Sequence, residues 1–95
     1  MNTKPHHPYR FYIKKLMLAK FPLLEDQQSF KDSVTHLTGM SRKTLDLKIN
    51  ARLESEEVFD PYVFKTIADL LGVRMDELIN PELLPSQVLE KETIS

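Results

Sequence analysis

The side chains that could do chemistry in this chain are its charged ones, and they are divided unevenly between its two halves. Residues 1–52 carry ten Lys and Arg against four acidic residues, whereas residues 53–95 carry three against ten. The two halves therefore carry opposite charge, although the whole chain has a formal charge of only -1. This asymmetry indicates a basic face beside an acidic one, and ordinary solvated helix faces are the simpler alternative.

Residue types that support catalysis or metal binding are sparse. No Ser–His–Asp order, Cys–His pair or glycine-rich phosphate loop stands out, so we expect no enzyme activity, no cofactor and no small-molecule substrate. The histidines His6, His7 and His36 lack the spacing of a metal site and have no cysteine to assist them, so we expect no bound metal. The acidic residues 54–57 are interpreted as a solvated loop rather than a cation site.

The composition restricts the class of protein. Ninety-five residues with 41% hydrophobic content suffice for one compact domain. The absence of cysteine favours a reducing compartment, the cytoplasm, and no apolar run approaches the ~20 residues of a membrane span. The first residues lack the apolar centre of a signal peptide. Glycine is rare and proline lies near the ends of apolar segments, which favours an all-α fold over a β-rich one.

Apolar residues recur at helical spacing along most of the chain. The first predicted helix runs from Tyr9 to Phe21, where Pro22 stops it. A second runs to Thr38 from a cap at Asp26 or Ser29. The other predicted helices cover residues 42–53, 62–71 with Asp60 as cap, and 75–79. The apolar faces of the second and third helices are predicted to be Phe30, Val34 and Leu37, and Leu45, Ile49 and Leu53.

The most informative stretch is residues 34–50. Gly39 suits the left-handed conformation that ends a helix, and Ser41 is a good cap for the next one. Leu45 and Ile49 should anchor that second helix, which leaves its polar side and its positive dipole end outside. This is the geometry in which a recognition helix enters the major groove of DNA.

These residues resemble the phage-repressor-like (Xre/Cro) helix-turn-helix family. The segment TGMSRKTLDLKIN, residues 38–50, is similar to the turn and recognition helix of that family. The segment IADLLGVRMDELIN, residues 67–80, is similar to its closing helices, and the two motifs occur in the family's order and spacing. The resemblance implies an all-α, five-helix repressor-like domain over residues 9–80. Such a domain binds double-stranded DNA, usually as a homodimer, and regulates transcription.

Transferred to this sequence, the resemblance implies two sets of DNA contacts. Arg and Lys can pair with guanine, Asn with adenine, and Leu can meet the methyl group of thymine. Contacts to phosphate position a protein without reading sequence. The implied base-reading residues are Arg42, Lys43, Asp46, Leu47 and Asn50. The implied backbone-contacting residues are Lys31, Ser41, Thr44, Lys48 and Arg52.

Three further expectations concern Leu47, the aromatic residues and the chain ends. The exposed Leu47 and the near-neutral charge support a second hypothesis, in which the helix-turn-helix is a protein-interaction module without DNA binding. The aromatic residues Phe11, Tyr12 and Phe21 are expected in the core or a dimer contact rather than stacked on bases. Residues 1–8 are predicted to be a flexible lead. Residues 81–95 are predicted to be a tail that contacts a partner subunit or frays.

Overall fold

The computed structural model describes residues 8–90, and this part of the chain is an all-α domain, as predicted. The predicted lead, apart from Pro8, and residues 91–95 of the predicted tail lie outside the described residues. Between residues 8 and 90, no helix is long and apolar enough to cross a membrane. Residues 8–90 form five α-helices: α1 (Ile13–Lys20), α2 (Leu24–Thr38), α3 (Arg42–Ile49), α4 (Pro61–Leu71) and α5 (Pro85–Val88). A 3₁₀-helix, Met75–Leu78, lies between α4 and α5.

Helix α4 is the centre of the domain, with α1, α2 and the 3₁₀-helix packed around it. Its start and end follow the predicted signals, because Asp60 Oδ2 accepts from the Tyr62 N–H at 2.9 Å and Gly72 ends the helix at φ 72°. Three fully buried rings, Phe11, Phe59 and Phe64, have centroids 4.8–5.9 Å apart. Phe11 meets the other two rings edge to face, and such contacts stabilise a core beyond simple burial. The expectation of Phe11 in the core is confirmed.

The prediction that the first helix begins at Tyr9 is wrong. Tyr9 and Phe11 form isolated antiparallel β-bridges with Arg52 and Ile79, and α1 begins only at Ile13. The segment before α1 lies between two distant parts of the chain: the Arg10 N–H donates to the carbonyl of Ala51 at 3.0 Å, and the Tyr12 N–H donates to Leu78 at 2.7 Å. The local periodicity suggested a helix because it contains no information about these distant partners.

The ends and faces of α2 and α3 also differ from the prediction. Helix α2 begins at Leu24, before either predicted cap, and its Leu37 is 52% exposed rather than buried. Helix α3 ends at Ile49, not at Leu53. The Leu53 N–H donates to the Pro8 carbonyl at 2.9 Å, so residues after α3 pair with the N-terminal segment instead of extending the helix. Leu45 and Ile49 are buried as predicted, whereas Leu53 is only half-buried.

The described part of the predicted tail belongs to the domain. Its helix α5 is a single turn, in which Val88 is fully buried. The Phe59 N–H donates to the Val88 carbonyl at 2.8 Å, and the Glu90 N–H donates back to Phe59 at 2.9 Å. The sequence signal was weak because so short a helix shows no periodicity, and this segment is held by pairing with residue 59.

Substitution of Gly39 by alanine should destabilise the domain by about 1 kcal/mol, or roughly 5 °C in Tm. Gly39 has φ 76°, which side chains with a Cβ rarely adopt, but an added Cβ would meet no atom within 4 Å. The cost is therefore conformational and not steric. Gly39→Asn is the matched control, since asparagine tolerates this conformation better. Thermal melts followed by circular dichroism test the order Gly, Asn, Ala, and an alanine variant as stable as the parent would contradict it.

Candidate functional site

Helices α2 and α3 are joined by a tight, capped connection of three residues. The Gly39 N–H donates to the Thr35 carbonyl at 2.9 Å and ends α2. Ser41 has an extended backbone and its Oγ accepts from the Thr44 N–H at 3.1 Å, which caps α3. Both predicted caps are confirmed. They end α2 and start α3 within three residues, and the first turn of α3 lies at the surface.

The outer side of α3 is a stripe of three exposed residues at positions i, i+4 and i+7. These are Lys43, Leu47 and Asn50, and Leu47 is 59% exposed. Between this stripe and residues 51–57 lies an open groove with a volume of about 770 Å³, which we call the α3 groove. It is lined by Arg42, Lys43, Asp46, Leu47, Asn50, Ala51, Arg52, Ser55 and Glu57. The structure therefore brings all five predicted base-reading residues to one surface.

Three of these five residues, Arg42, Asp46 and Asn50, are engaged within the protein, and the Asn50 Nδ2 group donates to the Asp46 carbonyl at 2.9 Å. The Arg42 guanidinium lies 2.8 Å from Asp32 Oδ1, and it also donates to the side-chain oxygen of Gln28. Asp46 Oδ1 lies 2.9 Å from Lys31 Nζ, and Asp46 Oδ2 lies 3.8 Å from Arg42 Nε. These ion pairs link α2 to α3. Since these pairs are partly exposed, each contributes at most about 1 kcal/mol to the stability of the fold. Together they set the orientation of α3 and neutralise the charges of Lys31 and Arg42.

Lys48, a predicted backbone contact, is also turned inward. Its Nζ lies 3.2 Å from Glu57 Oε1, donates to the Val58 carbonyl and lies 5.6 Å from the centre of the Phe59 ring. Its side chain is only 19% exposed. Lys48 therefore ties α3 to the following loop and neutralises Glu57. This interaction moderates the acidic character of residues 54–57 beside the groove.

The predicted contacts that keep an available charge are Lys43 and Arg52. Within residues 8–90, neither has a carboxylate within 4 Å. Ser41 and Thr44 are exposed at the start of α3, with their hydroxyl oxygens 2.9 Å apart. The arrangement offers cationic, amide, hydroxyl and apolar groups on one surface. It provides no nucleophile paired with a base.

Two residues at this site could not be identified from the sequence. Lys14, on α1, donates from Nζ to Asn50 Oδ1 at 3.3 Å. Tyr9 contacts both α1 and the residues after α3, because its ring centre lies 5.4 Å from Lys14 Nζ and 5.3 Å from the Arg52 guanidinium carbon. No local pattern could reveal them, because Lys14 and Asn50 are 36 residues apart. The basic character of the N-terminal half was the only signal in the sequence.

The loop that borders the groove is held by a buried arginine. Arg10 is 5% exposed, and its guanidinium donates to the carbonyls of Leu53 at 3.1 Å and Glu57 at 3.0 Å, and to those of Ser55 and Gln87. Burial lowers the pKa of Arg10 below its ordinary value, and the charges of Glu56 and Glu57 act in the opposite direction. Arg10 thus fixes the wall of the α3 groove from inside. The charge pattern of the sequence did not distinguish Arg10 from the basic residues at the surface.

Comparison of the chain with protein-family models, with curated proteins and with solved structures found no match in any of the three. The resemblance to phage-repressor-like proteins therefore rests on the residues named above. The function of α3 is inferred from the surface that the helix itself presents.

Proposed function

We propose that the chain is a sequence-specific DNA-binding regulator of transcription that acts in the cytoplasm and places α3 in the major groove. The observation that carries the proposal is the exposed stripe of Lys43, Leu47 and Asn50 on a helix capped and braced at its start. A lysine can pair with O6 and N7 of guanine, an asparagine with adenine, and a leucine can contact the methyl group of thymine. One stripe therefore presents three of the four kinds of base contact that discriminate sequence in the major groove.

The roles proposed for the α3 residues differ from those that the family resemblance implies. Lys43 and Leu47 read bases directly, and Asn50 does so when DNA displaces its hydrogen bonds to Lys14 and to the Asp46 carbonyl. Arg42 and Asp46 orient α3 through their ion pairs with α2. Ser41, Thr44 and Arg52 are left for the phosphate backbone. The proposal also includes a homodimer, whose two-fold axis would set the two α3 helices about 34 Å apart, one turn of DNA.

The direct test is binding of the purified protein to a fluorescent duplex of random sequence, measured by anisotropy at increasing salt. We expect non-specific binding with a Kd of roughly 10⁻⁴–10⁻⁶ M that weakens steeply as salt increases. Selection from random duplexes should then yield sequences bound at least about a thousandfold more tightly, with half-sites one turn apart. Lack of binding at about 50 mM salt would contradict the proposal, because phosphate attraction alone should be detectable there.

A second candidate function is a protein-interaction module. The observation in its favour is Leu47, which is 59% exposed in a groove that also contains the Ala51 side chain. A leucine in this position suits an apolar anchor of a partner protein as well as a thymine methyl group. The anisotropy experiment separates the two candidates, since an interaction module would not bind random duplex at low salt.

A further inference from the structure

Positive charge is concentrated beside the C-terminal end of α3, outside the stripe that faces the groove. Lys14 and Arg52 both lie against the ring of Tyr9, at 5.4 Å and 5.3 Å from its centre. The ammonium group of Lys14 and the guanidinium group of Arg52 are therefore at most about 11 Å apart. In the described part of the chain, residues 8–90, neither has a carboxylate within 4 Å.

The backbone holds this cluster in place. The Leu53 N–H donates to Pro8 at 2.9 Å and the Arg10 N–H to Ala51 at 3.0 Å, which pairs Tyr9 with Arg52 in an antiparallel bridge. Lys14 reaches the cluster from α1 and donates to Asn50. Since Asn50 and Arg52 also line the α3 groove, the cluster continues the surface of the groove toward α1.

The kind of partner determines whether a lysine or arginine keeps its charge available. Lys31, Arg42 and Lys48 lie against carboxylates, which neutralise them. Lys14 and Arg52 lie against an aromatic ring, which attracts a cation through its quadrupole and leaves the charge in place. The ring also restricts the two side chains before binding, so less conformational entropy is lost when they meet an anion.

We propose that Lys14 and Arg52, ordered by Tyr9, form a binding site for phosphate groups of the DNA backbone beside the α3 groove. This inference rests on the proposed function and adds α1 to the DNA-contacting surface. It also replaces two of the backbone contacts implied by the family resemblance, Lys31 and Lys48, with Lys14. The site positions the protein on DNA and does not read sequence.

The test uses the single variants Lys14→Met and Arg52→Met and the double variant, which retain unbranched apolar side chains near the ring. For each phosphate that is no longer neutralised, the slope of log K against log salt should fall in magnitude by about 0.9. At about 0.1 M salt this corresponds to roughly eightfold weaker binding for each single variant and roughly sixtyfold for the double variant. In Arg52→Met, random and selected duplexes should be affected by the same factor, because interactions with phosphate carry no sequence information. Lys14→Met also removes the hydrogen bond to Asn50, so its slope is compared on the random duplex.

Two controls make the outcome decisive. Lys65→Met removes an equal charge from α4, where Lys65 pairs with Asp69 outside the groove, and should leave the slope unchanged. Lys14→Arg keeps the charge and should keep the slope, with circular dichroism confirming that all variants are folded. If the parent protein binds duplex but the Met variants keep its slope, the phosphate site is overturned and the proposed function stands. If the parent protein does not bind duplex, both are overturned.

Discussion

The Arg10→Met variant is expected to unfold at a temperature more than about 10 °C below that of the parent protein. The guanidinium of Arg10 donates to four backbone carbonyls, from Leu53, Ser55, Glu57 and Gln87, in a side chain that is 5% exposed. Methionine fills much of the volume but leaves these acceptors without their donor. Hydrogen bonds to a charged donor contribute about 1.5–3 kcal/mol each, and a loss of about 3 kcal/mol in all is expected after relaxation and hydration of the loop.

The matched comparison for Arg10 is Arg74→Met. Arg74 has a side chain that is 76% exposed and pairs with Asp76, so its loss should change Tm by less than about 3 °C. Arg10→Lys keeps the charge but cannot reproduce the planar fork, and it should fall between the two. Thermal melts by circular dichroism give all three values. Equal melting temperatures for Arg10→Met and Arg74→Met would show that the carbonyl cluster does not stabilise the fold.

The Lys43→Glu variant is expected to bind a selected DNA duplex at least about a hundredfold more weakly at about 0.1 M salt, with an unchanged Tm. Lys43 is exposed in the first turn of α3 and, within residues 8–90, has no ion-pair partner whose loss would affect stability. The substitution removes one positive charge and introduces a negative one. Each unit of charge corresponds to roughly eightfold in affinity at this salt concentration. Loss of a guanine contact adds about 1–3 kcal/mol on the selected sequence.

Lys65→Glu is the control, because it changes the net charge by the same amount as Lys43→Glu. Lys65 lies on α4 and pairs with Asp69 at 3.0 Å, so the change should cost a few tenths of a kcal/mol in stability and leave DNA affinity nearly unaltered. Lys43→Glu should also weaken binding to the selected duplex more than to a random one. Equal losses of affinity for Lys43→Glu and Lys65→Glu would mean that only net charge matters, and α3 would then not be the reading element.

The sequence alone determined the features that depend on residues within about one helical turn of each other. Gly39 and Gly72 end their helices in the left-handed conformation, and Ser41 and Asp60 cap the following helices, as predicted. Leu45 is buried and Leu47 exposed, because a period of 3.6 residues decides which side of a helix faces the core. The all-α class and the exposed stripe of α3 follow from these local signals.

The tertiary structure decided which charges are available and where residues 8–12 and 85–90 pack. Arg10 and Lys31 look alike in the sequence as basic residues of the N-terminal half. Only the fold buries Arg10 among carbonyls and places Lys31 against Asp46. Contacts between residues that are distant in the sequence, from 15 residues for Lys31 and Asp46 to 77 for Arg10 and Gln87, determine these outcomes. The spacing of residues in the sequence does not reveal these contacts. The charge of a side chain is set by its residue type, whereas its availability to a ligand depends on which partners the fold brings within reach.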